Sequence, residues 1–368
     1  MKQLFLGIVT LLSVTAFSQK DELKTLKKLY SKEAISSEEL KMYKEASDKL
    51  NSVANTEADK VYAKLFKVMY PALEYESKGA SATLEDKAKL MNPDFLSEYG
   101  TTIDKTIAFE EKSGKKLFAD QLIKDKYEFR DFLYGSATRL FQEASYRESS
   151  LMFHNLYVFD PKNEGIALNN SAELAVQAQD YLLAEKFYED LKDSDYLKNG
   201  VNYYATSKTN GKEILYPNKE DRDRQVQLGL AESPRDVKMS SKKPDIYKML
   251  ALIALQNKDI EKTKKALEEA KALNPNDSEL VDAEFQLYFT LGYDFLKNDS
   301  KLVDEINASV ADKEKYDSLM ENRKKTFKSS LPYLEKAYQL KPTDTNTKIL
   351  LRSAYDILEM KEKAAAIN

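Results

Sequence analysis

Apolar residues recur at helical spacing along nearly the whole chain, and polar residues fill the positions between them. A Ser-Ser-Glu-Glu capping signature at residues 36–39 begins one such run, in which Tyr43 and Leu50 lie on the apolar side. Pro71 interrupts a later run and predicts a kink or an early stop. Residues 19–115 are therefore predicted to form four or five helices without a clean repeat, either as divergent repeats or as a cap.

Three short phrases that end in proline recur beyond about residue 130. Val-Phe-Asp-Pro ends at Pro161, Ala-Leu-Asn-Pro ends at Pro275 and Gln-Leu-Lys-Pro ends at Pro342. Pro275 and Pro342 are 67 residues apart, which is close to two periods of about 34 residues. Because proline cannot continue a helix, each phrase predicts a helix end followed by a new helix.

Segment 244–277 has a regular series of large and small residues that ends in proline, namely Tyr247, Leu250, Ala251, Ala254, Thr263, Leu267, Ala270 and Pro275. This series resembles the pattern of the tetratricopeptide repeat (TPR) family. In this pattern, small residues lie where the two helices of a hairpin cross, and bulky residues fill the gaps beside them. Segments 130–163 and 165–198 resemble the same pattern, although 165–198 lacks the closing proline.

The resemblance implies an all-α fold, a helical-hairpin (TPR-like) solenoid. It places TPR-like repeats in residues 116–198 and again in residues 244–368. The second region contains a charged stretch over residues 297–325, which is longer than a repeat turn. This stretch predicts either a repeat unit that has lost its pattern or an elongated helix pair.

Residues 199–243 break the helical pattern and predict a small β-hairpin insertion. Two runs rich in strand-forming residues flank an Asn-Gly pair at residues 210–211, which is typical of a type I′ turn with positive φ at both positions. A polar stretch then leads back to the helices. The insertion either contacts a partner through Tyr203, Tyr204 and Tyr216 or seals one edge of the repeat stack, since an isolated two-stranded hairpin is marginally stable.

In the TPR family, the first helix of each hairpin lines a concave surface, so the resemblance implies binding of a protein or a peptide. Recognition would rest on polar contacts to an extended segment, with aromatic side chains as anchors. The matching positions are Asn169, Glu173 and Gln177 in one unit and Lys248, Leu252 and Gln256 in the next.

The N-terminus has the pattern of a secretory leader. Lys2 precedes an apolar run over residues 4–17, and small residues precede a cleavage site after Ser18. Residues 1–18 are therefore predicted to be a signal peptide, and the mature chain is predicted to be periplasmic or secreted with no membrane span. An uncleaved anchor is the alternative, although a span needs about 20 apolar residues.

Residues 120–368 also resemble a secreted repeat family of Bacteroidetes or Flavobacteria type. The likeness includes the stretch Tyr-Tyr-Ala-Thr-Ser-Lys-Thr-Asn-Gly that begins at Tyr203. It implies the same helical fold and export, and it implies no activity or ligand.

The composition supports helices and argues against several kinds of chemistry. Only 10 Gly and 9 Pro occur among 368 residues, too few for the turns of a large sheet protein. A formal charge of −4 without a basic block predicts no nucleic-acid partner. With no Cys and a single His, His154, we expect no disulfide, metal site, cofactor or His-based triad. His154 itself is expected to be packed or half-exposed.

These patterns predict an exported, non-catalytic scaffold that binds protein or peptide partners in the cell envelope. One alternative is a structural subunit or assembly factor of an envelope complex, which an apolar patch on residues 280–340 beside a polar groove would favour. A second alternative is an α-helical-toroid glycosidase with an Asp/Glu pair, although the chain has no Trp for stacking on a sugar. The sequence predicts neither the partner's identity nor the oligomeric state.

Overall fold

The computed structural model describes residues 21–32, 34–114 and 116–367. The predicted signal peptide over residues 1–18 lies outside these residues. The chain divides into two compact units, one ending at Asp180 and one beginning at Tyr181. The division falls inside the predicted repeat 165–198, and the predicted domain boundaries stay predictions.

Unit one, up to Asp180, is helical. Its helices are α1 (residues 21–30), α2 (Ser37–Val53), α3 (Glu57–Lys78), α4 (Leu84–Leu90), α5 (Pro93–Ser113), α6 (Ala119–Gln142), α7 (Tyr146–Phe159) and α8 (Gly165–Gln177). A 3₁₀ turn over Gly79–Ser81 follows α3. Consecutive packing of α2 on α3, α6 on α7 and α7 on α8 makes these helices a series of antiparallel hairpins, and α5 packs on α3, α6 and α7.

The helix starts in unit one follow the local signals of the sequence. The predicted cap of α2 is present, since Ser36 Oγ accepts from the Glu39 N–H at 3.3 Å and Glu39 Oε2 accepts from the Ser36 N–H at 3.1 Å. Capping boxes of the same form begin α3 at Thr56 and α4 at Thr83. The early stop considered at Pro71 does not occur, because α3 continues through it to Lys78.

The first turn of α6 is held by a buried carboxylate from α5. Phe118, the residue before α6, makes no side-chain cap. Instead, Glu110 Oε2 accepts from the N–H groups of Phe118 at 2.9 Å and Ala119 at 2.8 Å. Glu110 Oε1 accepts from the Tyr62 hydroxyl at 3.0 Å. Because unpaired N–H groups at a helix start favour negative charge, Glu110 fixes where α6 begins.

Unit two, from Tyr181 onward, combines helices with one small sheet. Its elements are α9 (Tyr181–Asp193), α10 (Asp195–Asn199), β1 (Val201–Ser207), β2 (Glu213–Tyr216), α11 (Lys219–Gln227), β3 (Ala231–Lys238), α12 (Lys243–Gln256), α13 (Ile260–Leu273), α14 (Ser278–Leu296), α15 (Asp299–Ala308), α16 (Lys313–Leu340), α17 (Thr345–Ile357) and α18 (Lys361–Ala366). A 3₁₀ turn over Met239–Lys242 joins β3 to α12.

The helical part of unit two contains the predicted hairpins. Helices α12 and α13 form the predicted unit, and α14 packs on α16, which in turn packs on α17. Ala251, Leu267 and Ala270 are buried together with Leu280 of the next hairpin, as the small-and-bulky pattern requires. The predicted fold class, all-α helical hairpins with a small β insertion, is confirmed.

The charged stretch at residues 297–325 forms α15 and the first half of α16. Asp299 begins α15, and its carboxylate accepts two hydrogen bonds of 2.7 Å from the Arg323 guanidinium of α16. Such two-point pairing fixes direction as well as distance. The stretch therefore contains one short helix, α15, and the first half of the long helix α16, which packs on α14.

The insertion is larger than the predicted two-stranded hairpin. Three antiparallel strands lie in the order β2-β1-β3, and α11 packs on all of them. The third strand, β3, lies in the stretch that the sequence predicts to be a polar connection. The sequence does not predict a strand there because the side chains of β3 are mostly exposed and it contains Pro234. A register shift opposite residues 204–206 accommodates this proline, with Ser233 at φ 52°.

The loop between β1 and β2 also differs from the predicted type I′ turn. Gly211 has φ 68°, but Asn210 does not adopt a positive φ. The Gly211 N–H donates to the Ser207 carbonyl at 2.8 Å, and the Ser207 N–H donates to the Lys212 carbonyl at 2.8 Å. The turn therefore spans four residues between Ser207 and Lys212, and only its last position requires glycine.

Candidate functional site

The three tyrosines predicted as partner contacts in the insertion do not share a surface. Tyr203 lies directly opposite Tyr216 on β2, whereas Tyr204 lies opposite Leu215. Opposed residues of antiparallel strands share a face, and neighbours along a strand point to opposite faces. Tyr203 and Tyr216 therefore lie on one face of the sheet, and Tyr204 lies on the other.

Two of these tyrosines are covered by arginines of the insertion itself. The Arg235 guanidinium lies 4.7 Å from the centre of the Tyr204 ring and makes two hydrogen bonds of 2.7 Å to Glu213. On the other face, Arg222 of α11 lies 5.6 Å from the Tyr203 ring and donates to Asp236 at 2.7 Å. Because these cation–π contacts hold both rings inside the insertion, the sheet is internally packed around Tyr203 and Tyr204.

The residues predicted on α12 are largely used within the chain. Lys248 Nζ lies 3.1 Å from Asp277 and 2.8 Å from Glu279, at the start of α14. Leu252 packs against the core that α12 shares with its neighbours, while Gln256 is exposed. Two of the three predicted contact residues on α12, Lys248 and Leu252, are therefore already engaged by contacts within the chain.

The residues predicted on α8 form a polar, accessible row. Asn169 Nδ2 donates to Glu173 Oε1 at 2.8 Å, and both Glu173 and Gln177 are exposed. The hydrogen bond orients the Glu173 carboxylate without neutralising it, because the donor is an uncharged amide.

A row of exposed apolar side chains on α6 is the feature that sequence reasoning missed. Ile123, Tyr127, Tyr134 and Phe141 are 37%, 65%, 48% and 47% exposed. At about 100° per residue they fall within about 40° of one another around the helix. We call these four residues the α6 stripe. Their spacing is visible in the sequence, but a buried helix face shows the same spacing, so only packing distinguishes the two.

Helix α6 is held in place by charged residues that flank the α6 stripe. Lys126 Nζ lies 2.7 Å from Asp104 of α5 and 2.9 Å from the buried Asp160. Arg130 donates to the buried Glu164 and to Asp131. The positive charges nearest the stripe are therefore neutralised by carboxylates of the chain itself.

The pKa values in this ion cluster follow from burial and pairing. Burial alone lowers the pKa of Lys126, but its hydrogen bonds to Asp104 and Asp160 raise the pKa above its usual value. Burial raises the pKa of Glu164, and the Arg130 guanidinium acts in the opposite direction. The cluster is thus a structural clamp at the end of α7 and the start of α8.

The Arg130–Glu164 contact relates α6 to α8. Glu164 directly precedes α8, so this contact lies one turn before Tyr134 on α6 and one turn before Asn169 on α8. The buried pair Leu133 and Ala137 of α6 recurs 35 residues later as Leu168 and Ala172 of α8, and all four are fully buried. By the same spacing, Tyr134 is the counterpart of Asn169.

Between the α6 stripe and the α8 row of Asn169, Glu173 and Gln177, one pair therefore matches: Tyr134 and Asn169 occupy equivalent positions on α6 and α8. We call the stripe and the row together the unit-one face. It joins exposed aromatic rings to uncharged polar groups and one exposed carboxylate.

Unit two contains a groove of about 490 Å³ between α13 and α14. On its floor Glu284 contacts Lys271 and lies 3.6 Å from Lys336 Nζ of α16. Beside it, the Tyr333 ring stacks on Tyr288 at 6.5 Å and on the exposed Phe295 at 5.9 Å. The lining residues are Lys264, Leu267, Glu268, Lys271, Ala272, Glu284, Leu287 and Tyr288.

His154 is buried on α7, with its ring 6.4 Å from that of Tyr157. Among the described residues, His, Asp and Glu side chains do not gather in groups of three or more that could hold a metal ion. Within the described ranges, none of the helices combines the length and the apolar character that crossing a bilayer requires.

Comparisons with known proteins find likeness among solved structures. No family model matches the sequence, and no curated protein matches it. Among solved structures, the TPR domain of P58(IPK) is similar over 94% of this chain and 90% of its own chain, with 14% identical residues and a TM-score of 0.31. The fold class therefore rests on the helical hairpins of the chain itself.

Proposed function

We propose that this chain is an exported, non-catalytic helical-repeat scaffold that binds protein or peptide partners in the cell envelope, and that the unit-one face is its binding surface. The observation that carries the proposal is the α6 stripe. Isolated apolar side chains are common on protein surfaces, but several on one helix face mark an interaction surface.

The residue types of the stripe suit this role. Tyr127, Tyr134 and Phe141 are large rings with few rotatable bonds, so ordering them at an interface costs little entropy. Such rings dominate the binding energy of protein interfaces, while polar neighbours such as Asn169 and Gln177 supply orientation. The stripe also lies on a first helix, where the TPR resemblance implies a ligand-binding surface.

The test is capture of partners from the native envelope. The mature chain and a Tyr127→Ala/Tyr134→Ala variant are used as bait, and retained proteins are identified by mass spectrometry. We expect specific partners on the wild-type chain to be lost from the double variant. The matched control is Phe132→Ala, since Phe132 is 47% exposed but lies on the far side of α6. Equal capture by all three baits would contradict the proposed surface.

Export is a separate part of the proposal. The leader pattern at residues 1–18 and the likeness to secreted repeat proteins of Bacteroidetes type support a periplasmic or secreted location. Mass measurement of the protein from native cells should give a chain that begins at Gln19 and is found in the periplasm or medium. An intact N-terminus in the cytoplasm would contradict export.

A structural subunit or assembly factor of an envelope complex is the second candidate. It is supported by the groove between α13 and α14, because the Tyr333 ring beside the groove also stacks on the exposed ring of Phe295. Under this alternative the chain should migrate in a stable large complex on native gels. Phe295→Ala, rather than Tyr134→Ala, should then release it.

A further inference from the structure

We propose that the segment recognised by the unit-one face carries lysine or arginine side chains, so that the partner is a basic, partly apolar peptide stretch. This inference rests on the proposed function and specifies the chemistry of the partner. Three features of the face support it: its tyrosines, its exposed carboxylate and the neutralised state of its cations.

The tyrosine rings provide sites for cations. A Lys or Arg side chain over the face of a Tyr ring is attracted by the ring's quadrupole. The chain itself forms this contact at Tyr134, whose ring lies 5.7 Å from the Arg130 guanidinium and still remains 48% exposed, unlike the half-buried tyrosines of the insertion. Tyr127, one heptad earlier on the same stripe, is 65% exposed and presents the same chemistry to solvent.

The exposed carboxylate of Glu173 provides the charge partner. It accepts a hydrogen bond of 2.8 Å from Asn169, which holds its orientation. The second oxygen and the negative charge remain available to an approaching cation, since an amide donor does not titrate. Because Asn169 is the counterpart of Tyr134 and lies one turn before Glu173 on α8, a basic side chain that reaches from Tyr134 along α8 would approach this carboxylate.

The positively charged residues beside the α6 stripe also favour a basic partner. Lys126 is shared between Asp104 and Asp160, and Arg130 is bound to Glu164. Breaking these contacts to receive an acidic partner would leave buried carboxylates unpaired, at a large cost in free energy. An acidic segment is therefore disfavoured, while a basic one adds contacts without removing any.

The apolar ends of the stripe set the rest of the partner's composition. Ile123 and Phe141 lie at the two ends of the α6 stripe, about 27 Å apart along the helix. Long aliphatic stems of Lys and Arg, or a Leu between them, can pack on these side chains. The predicted partner thus alternates basic and apolar residues over a stretch of roughly eight residues or more.

The inference is tested with three labelled peptides of about 12 residues, long enough to follow the stripe when extended. The first alternates Lys or Arg with Leu and Ala, the second has Gln at every basic position, and the third has Glu there. Binding to the mature chain is measured by fluorescence anisotropy. We expect the basic peptide to bind at least about tenfold tighter than the neutral one, with the acidic one weakest, and its affinity to fall with added salt.

Single substitutions identify which residues of the unit-one face bind the basic peptide. Tyr127→Leu and Tyr134→Leu keep the apolar area but remove the ring quadrupole, and each should weaken the basic peptide about threefold to fivefold. Glu173→Gln keeps the shape and should weaken the basic peptide by up to about fivefold while leaving the neutral one unchanged. The controls are Phe132→Leu on the far side of α6 and Glu148→Gln on α7, which should have no effect. Circular dichroism checks that every variant is folded.

The outcomes separate the two proposals. Equal binding of all three peptides, reduced by the tyrosine variants, would overturn the basic-partner inference and leave the proposed binding surface standing. Equal weakening by Glu173→Gln and Glu148→Gln would reveal nonspecific attraction and overturn the inference. If no peptide binds, the inference is also overturned, and the envelope capture experiment decides the proposed function independently.

Discussion

Gly100 and Gly135 both lie within helices, yet their surroundings give the same substitution opposite consequences. Gly100 is buried where α5 crosses α7, and a Cβ atom there would lie 1.9 Å from the Phe159 carbonyl oxygen. At Gly135, on the exposed side of α6, nothing lies within 4 Å of a Cβ atom. A backbone carbonyl cannot rotate away as a side chain can, so only the first glycine is required by packing.

Replacement by alanine measures this difference. Gly100→Ala should lower the free energy of unfolding by about 3 kcal/mol, at the upper end of overpacking costs. Gly135→Ala should raise it by about 0.5–1 kcal/mol, since alanine restricts the unfolded chain and favours helix. Denaturant unfolding followed by circular dichroism measures both. Similar small effects at the two sites would contradict the close crossing of α5 and α7.

The capping carboxylate of Glu39 makes the stability of α2 depend on pH. Hydrogen bonds from Lys32, then from the backbone and hydroxyl of Ser36, lower the pKa of Glu39 to about 2. A lowered carboxyl pKa stabilises the folded state above the unfolded-state pKa of about 4.3, and this stabilisation is lost as pH falls toward the folded value.

Glu39→Gln removes the charge but keeps a side chain that can complete a capping box. The variant should melt at a lower temperature than wild type at pH 7. The difference should narrow as pH falls from about 4.5 toward 2, because the wild-type carboxylate is then protonated. Thermal unfolding across this range is the measurement, and a difference that stays constant with pH would contradict the role of the charge.

At the scale of elements, α6 depends on α5 for its start. Glu110 is fully buried and receives hydrogen bonds from Tyr62, Phe118 and Ala119. Helix propensity would allow α6 to begin at several positions, and this carboxylate selects one. The same contact ties the first turn of α6, the helix that carries the α6 stripe, to α5.

Removal of the Glu110 carboxylate should lower the free energy of unfolding substantially. Glu110→Ala leaves three buried donors without a partner, at about 1–3 kcal/mol each, so unfolding should become easier by about 3 kcal/mol or more. The neighbouring Glu111→Ala, at an exposed position, should change stability by less than about 0.5 kcal/mol. Amide exchange in the first turn of α6 should accelerate in the first variant only. Unchanged exchange there would show that α6 begins independently of α5.

At the scale of the whole molecule, the two ends of the insertion lie next to each other, so the insertion can be replaced by a short linker. The Met239 N–H donates to the Gly200 carbonyl at 2.9 Å, and Val201 pairs with Lys238 across β1 and β3. The chain therefore leaves and re-enters the helical part at nearly the same point. Together with its arginine-covered tyrosines, this geometry makes the sheet a self-contained addition.

Replacement of residues 201–238 by a short glycine linker tests whether the insertion takes part in binding. The helical circular dichroism should persist, because the helices on either side keep their own packing. Capture of envelope partners should also persist, since the unit-one face lies on α6 and α8. Loss of partners from a shortened chain that is still folded would return Tyr203, Tyr204 and Tyr216 to the binding surface.

The sequence by itself determined the features that depend on local physics. Ser36 and Glu39 satisfy each other's backbone groups within four residues, so the start of α2 could be read directly. Ala251 and Ala270 are small because two helices cross there, and Pro275 follows a helix end because proline offers no backbone donor and disfavours helix at the residue before it. Hairpins, their turns and the place of the insertion follow from such short-range rules.

Only the tertiary structure decided which surfaces are open. Tyr127 and Leu133 both belong to apolar positions that recur at helical spacing along α6. Packing of α6 against α5 and α7 buries Leu133 and leaves Tyr127 exposed. The sequence does not reveal strand β3, because an edge strand pairs through its backbone N–H and C=O groups whatever side chains it carries. Lys248 and Leu252 match the expected binding positions but are engaged by α14 and the core. Exposure depends on neighbours distant in sequence, and local periodicity carries no information about them.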